Sequence, residues 1–134
     1  METTLDSNTL PAGSFARWGG RALTFVPVLF LMVDAAMKVI GHPAVIEASE
    51  KLGLPGSLAQ GIGVLLASCL ALYLVPRTAP LGAVLLTGYL GGAVMVHLRV
   101  GDPLFSHTLF PVYVGAMLWA GLFLRDQRVR RLLA

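Results

Sequence analysis

Three long stretches of this chain carry no formal charge: 25 residues between Lys51 and Arg77, 21 between Arg77 and Arg99, and 22 between Asp102 and Arg125. A helix needs about 20 apolar residues to cross a bilayer, so each run is long enough to do so. A spanning segment must also satisfy its own backbone polar groups, which favours helices here. With 56% hydrophobic and 13% charged residues, the chain lacks the polar side chains that cover a small soluble domain, where roughly 25% are charged. These numbers exclude a soluble enzyme and a disordered chain. A disulfide-stapled secreted domain is excluded too, because Cys69 is the single cysteine and cannot pair within the chain.

The expected fold class is therefore all-α: an integral membrane, antiparallel four-helix bundle. Residues 1–20, with Asp6, Ser7, Asn8, Pro11 and Gly13, read as a polar N-terminal tail. The membrane domain covers 21–125, and 126–134 form a basic C-terminal tail. The first span runs from about Arg21 to Gly41. Its apolar stretch before Asp34 resembles the core of a signal peptide, but Val33-Asp34-Ala35 is a poor cleavage site, so the span is read as retained. His42-Pro43 ends it, and 43–53 form a short interfacial segment. The second span covers Leu54 to Val75, and the Pro76 to Pro80 connector leads to a third from Leu81 to Val100. Gly101-Asp102-Pro103 breaks that helix, since proline forces its predecessor toward extended geometry. The fourth span covers Thr108 to Leu124, with Ser106 or Thr108 as its N-cap.

Four spans place both termini on one side of the membrane. Arg17, Arg21, Arg77, Arg125, Arg128, Arg130 and Arg131 lie on that side, against Lys38, Lys51 and Arg99 on the other. The positive-inside rule then makes both termini cytoplasmic, and the 42–53 segment and the 99–107 loop face the periplasm or exterior if the membrane is a bacterial plasma (inner) membrane. The same arginine cluster explains the net charge of +3 without nucleic acid, for which a basic stripe with interleaved aromatics is missing.

Helices associate in lipid through close packing at small residues. Gly88 and Gly92 form a G-x-x-x-G step, Gly63, Ala67 and Ala71 a small-residue stripe, and Gly115 with Gly121 thins the fourth span. Internal packing is the expectation for these, with a homodimer interface as the alternative. Trp18, Tyr73 and Trp119 read as interfacial anchors, and Cys69 as a small apolar packing residue.

Ionisable side chains inside a span are costly and call for a partner or a function. Asp34 lies about seven residues, roughly 10 Å, inside the end of the first span. Lys38 and His42 continue its helical stripe, and Tyr89, Ala93 and His97 share a stripe on the third span. Both stripes approach the outer side, so Asp34, Lys38, Tyr89 and His97 are the candidate ligand-binding residues. Arg99, Asp102 and His107 are the candidate pocket entrance. The competing reading of Asp34 is an ion pair that fixes helix register. The H-x4-D-x4-H spacing of His97, Asp102 and His107 is too loose to specify a metal site, and histidines near one end do not suit paired haem ligation. No catalytic residue is assigned.

The stretch Gly88-Tyr89-Leu90-Gly91-Gly92-Ala93-Val94-Met95-Val96-His97-Leu98-Arg99-Val100-Gly101-Asp102-Pro103, the following Leu104-Phe105-Ser106-His107-Thr108-Leu109-Phe110-Pro111, and Asp34-Ala35-Ala36-Met37-Lys38 in the first span resemble the DoxX-like family. These are small bacterial four-span membrane proteins, and the resemblance covers about residues 20–130. It implies a membrane-embedded antiparallel four-helix bundle. It also implies partners in a membrane redox or stress-response complex, since some relatives are small subunits of a thiosulfate:quinone oxidoreductase and others belong to oxidative-stress complexes. The leading functional expectation is an accessory or binding subunit for a lipophilic redox molecule, with a quinone as the candidate cofactor. The alternatives are an assembly protein without its own ligand and a small lipid-modifying enzyme using carboxylate and histidine as acid and base. The balance leans away from a stand-alone enzyme.

Overall fold

The computed structural model describes residues 9–133. Six α-helices follow in order: α1 Thr9–Ile40, α2 Pro43–Lys51, α3 Ala59–Leu74, α4 Ala79–Arg99, α5 Phe110–Arg125 and α6 Gln127–Leu133. A 3-10 turn over Gly56–Leu58 leads into α3, and a π-turn over Leu104–Thr108 leads into α5. Four helical segments, Arg17–Ile40, Gly56–Leu74, Ala79–Arg99 and Leu104–Arg125, are long and apolar enough to cross a membrane. The all-α four-span reading holds. Helix α1 starts well before Arg21, so residues 9–20 of the expected tail are helical, while residues 1–8 of that tail lie outside the described residues.

The four long helices form a ring. Helix α1 packs on α3 and α5, and α4 packs on the same two, which puts α1 and α4 at opposite corners. Leu66, Tyr73, Leu86, Leu118 and Leu122 are fully buried between them. The other faces of the helices are apolar as well: Phe25, Val26, Leu29, Met32 and Val33 on α1 are all at least half exposed. A soluble monomer rarely shows so much contiguous apolar surface, and lipid chains cover it here.

With no hydrophobic gain between helices in lipid, closeness of backbones sets the packing. At Gly63 a Cβ would stand 2.7 Å from Lys38 Cβ and 3.1 Å from the Ala35 carbonyl, so α1 and α3 touch there. At Gly82 it would collide with the backbone of Leu72 and Tyr73, so α3 and α4 meet in the same way beside their connector. Gly121 abuts Gly20 and Thr24, joining α5 to α1. The Gly88 and Gly92 step does not serve this purpose: both are exposed, and a Cβ at either meets nothing within 4 Å. Ala67 and Ala71 are exposed as well. In an all-apolar span, small-residue spacing marks a smooth face without saying which face points inward.

Two further expectations change. Tyr73 is fully buried rather than an interfacial anchor: its hydroxyl donates to the Leu118 carbonyl at 2.6 Å, and the Arg125 guanidinium lies 5.1 Å from its ring centre. Helix α5 begins without a side-chain cap, because Leu109 is its N-cap residue. Thr108 is instead buried and donates to the Asp102 carbonyl at 3.3 Å, while Ser106 bonds His107 at 2.8 Å. Cys69 is buried in the core cluster.

Candidate functional site

One end of the bundle carries the chain termini and the connector between α3 and α4. The other, the loop end, carries α2 and residues 100–109, and the ionisable groups of the spans gather toward it. Lys38 and Asp34 form an ion pair along α1, with 16% and 29% of their side chains accessible. The i, i+4 spacing sets this contact, and Gly63 lets α3 close over the lysine stem. Two acid–base partners held inside a span, and still partly reachable, are consistent with either a register pair or a binding group.

Tyr89 faces the interior from the opposite corner. It is partly buried against the core, and Asp34 and Cys69 are its electrostatic neighbours. Among the described residues its hydroxyl has no hydrogen-bond partner. Tyr89, Ala93 and His97 share intermediate burial, as their i, i+4, i+8 spacing requires. On α1 the Lys38 stem lies at the seam with α3, where Gly63 meets it, while Tyr89 is half-buried on α4.

His97 does not join Asp34 or Lys38. Its Nδ1 lies 2.6 Å from Asp102 Oδ2. An ionised carboxylate can only accept, so opposite such a carboxylate Nδ1 would be the donor, which leaves Nε2 outside this bond. The turn that makes this possible uses Gly101 at φ +75°, a left-handed conformation that glycine adopts without a Cβ penalty. The Asp102 N–H then donates to the His97 carbonyl at 3.1 Å, so the loop folds back on the helix end. The His107 ring sits 6.3 Å from that of His97, edge-on.

Arg99 points away from this group. Its guanidinium donates to the Leu52 carbonyl at 2.9 Å, beside Gly53 at φ +79°, where a side chain would collide with it. Arg99 therefore ties α4 to the link between α2 and α3. His42 also leaves the Asp34 stripe: its Nδ1 accepts from the Ala44 N–H at 3.1 Å and caps α2. The structure thus sorts the expected residues into a span-level group of Asp34, Lys38 and Tyr89, a loop-level group of His97, Asp102 and His107, and a strut, Arg99.

The profile of the DoxX-like family matches residues 22–121. The chain belongs to the DoxX-like family. The match spans all four long helices up to the last turn of α5 and includes every residue of the two groups. No curated protein and no solved structure matches the chain significantly.

Sequence reasoning missed a cavity of about 510 Å³ at the loop end, where α1, α2 and the start of α3 meet. Its polar lining comes from Glu50, Ser57 and Gln60, which lie on three separate elements, α2, the 3-10 turn and the first turn of α3, with no common periodicity. Gly56 is the retrospective signal: a Cβ there would stand 2.7 Å from Ile46 Cγ2.

Proposed function

We propose that this DoxX-like protein is an accessory subunit of a bacterial plasma membrane, with both termini cytoplasmic, that holds the head group of a lipophilic redox molecule of the quinone class. The observation that carries this reading is the Asp34–Lys38 pair kept inside a span at the level of a tyrosine whose hydroxyl is uncommitted. Quinone carbonyls are acceptors. The Lys38 ammonium and the Tyr89 phenol are donors, and the apolar helix faces suit a prenyl tail. His97, with Asp102 and His107 beside it, forms the mouth toward the loop end, and Arg99 braces α4 from outside that group. The electron chemistry belongs to a partner in a membrane redox or stress-response complex, and this chain supplies binding and orientation.

A short-chain quinone at about a hundredfold excess over its Kd should stabilise the purified protein by about 2.7 kcal/mol through mass action. Tyr89→Phe and His97→Leu should each reduce that gain while leaving the ligand-free protein folded. Absence of any shift, or equal shifts in parent and variants, would remove the quinone reading. The assembly reading would then lead, supported by the open Gly88 and Gly92 face, which suits close approach of a helix from a second copy or another subunit.

A further inference from the structure

The loop-end cavity is separate from the proposed quinone site, since none of Asp34, Lys38, Tyr89 and His97 lines it. It is an open depression rather than an enclosed chamber, with a volume of about 510 Å³, enough for a head group that stays partly in contact with solvent. Ile40, Ile46 and Ala59 give it apolar walls, and Glu50 is the single ionisable residue in the lining. The nearby cations are engaged elsewhere: Lys51 pairs with Glu47 at 3.5 Å, and Arg99 is held by the Leu52 carbonyl. Glu50 is exposed, as are Ser57 and Gln60, and among the described residues its carboxylate has no ion-pair or hydrogen-bond partner other than what solvent supplies. The absent side chain of Gly56 leaves it room, for a Cβ there would be 3.2 Å from Glu50 Oε1.

We propose that this cavity binds an ammonium group carried on an apolar body, with Glu50 as its counter-ion. A primary ammonium has three N–H donors, and the lining offers three acceptors. These are the Glu50 carboxylate, the Ser57 hydroxyl and Gln60 Oε1, whose amide nitrogen is already committed to the Val39 carbonyl at 3.2 Å. A quaternary ammonium has no N–H to give, and the lining holds no aromatic ring to receive it by cation–π contact. The site therefore discriminates primary from quaternary amines. Ile40 is 70% exposed and Leu58, next to the lining Ser57 and Ala59, is 50% exposed, so apolar surface borders the site at the end of the spans. An amphiphile lying at the membrane interface meets both requirements, either as an aminophospholipid head group or as a free alkylamine.

The test uses the full chain in mild detergent, with binding read by native mass spectrometry and by thermal stabilisation. The probes are an ethanolamine-headed and a choline-headed phospholipid with the same acyl chains, and decylamine against decyltrimethylammonium. Binding of the primary amine should be about tenfold tighter than that of its quaternary partner, the equivalent of one charge-assisted hydrogen bond. Glu50→Gln removes the counter-ion and should weaken binding of the primary amine and shrink the preference, while Glu47→Gln, on the same helix, and Tyr89→Phe, in the quinone site, should keep both. Preference for the ethanolamine lipid assigns the site to a lipid head group. Preference for decylamine alone assigns it to a free alkylamine. Equal binding of primary and quaternary probes, no binding of either, or an unchanged preference in a folded Glu50→Gln protein would overturn the proposal.

Discussion

Replacing Lys38 by methionine should destabilise the protein more than replacing both members of its pair. The single change leaves Asp34 as an unpaired carboxylate facing the inside of the bundle, whereas Asp34→Leu/Lys38→Met leaves an apolar stripe of similar volume. Removing one partner of a fully buried pair costs about 3 to 5 kcal/mol, and replacing both is often neutral or stabilising. With 16% of Lys38 and 29% of Asp34 accessible, water and salt screen part of the loss, so about 2 to 3 kcal/mol is expected for the single variant. The double variant should stay within about 1 kcal/mol of the parent. Because the partners share one helix, the pair itself can persist when the bundle opens. The penalty therefore reports the partial burial of Asp34 within the folded bundle. Unfolding in sodium dodecyl sulfate, followed by the loss of tertiary contacts, measures all four corners of the cycle. If the parent, the single and the double variants unfold at the same point, or if the double loses more than the single, the inward placement of this pair is wrong.

Gly82→Leu should lower the unfolding free energy by about 3 kcal/mol or more, because the Tyr73 backbone occupies the space a side chain needs; Gly88→Leu should leave the monomer unchanged in the same titration. Outside the membrane, Arg128 holds the Asp126 carboxyl below its ordinary range through bonds at 2.9 and 3.2 Å. That contribution is complete at neutral pH and fades as pH falls through the lowered value, so the parent should lose more stability below about pH 3.9 than Asp126→Asn does, as pH titration of the melting midpoint would show. Reporter fusions at residue 134 and in the 103–106 loop should be active in the cytoplasm and in the external compartment respectively, and the reverse pattern would contradict the proposed topology.

The number of spans and the Asp34–Lys38 contact were legible because both depend on local spacing: charge-free length in one case and i, i+4 geometry in the other. Which face of each span points inward was not legible. Lipid is as apolar as the bundle interior, so periodicity loses the contrast that orients an amphipathic helix in water. Gly88 and Gly92 therefore looked like packing residues yet face outward, while Tyr73 looked like an anchor yet is covered by α5 and Arg125. The partner of His97 was hidden for a different reason. Asp102 reaches it only because Gly101 reverses the chain, and that bond depends on a turn rather than on a stripe.

Photolabelling addresses the central functional claim most directly. A short-chain quinone bearing an azide, bound to the purified chain, illuminated and mapped by mass spectrometry, should label the segments around Asp34–Lys38 on α1 and Tyr89–Ala93 on α4. Excess unmodified quinone should suppress that label, and Tyr89→Phe should weaken it. Label confined to lipid-facing positions such as Met32, Val84 and Val112, and indifferent to competitor, would contradict a quinone-class site within the bundle.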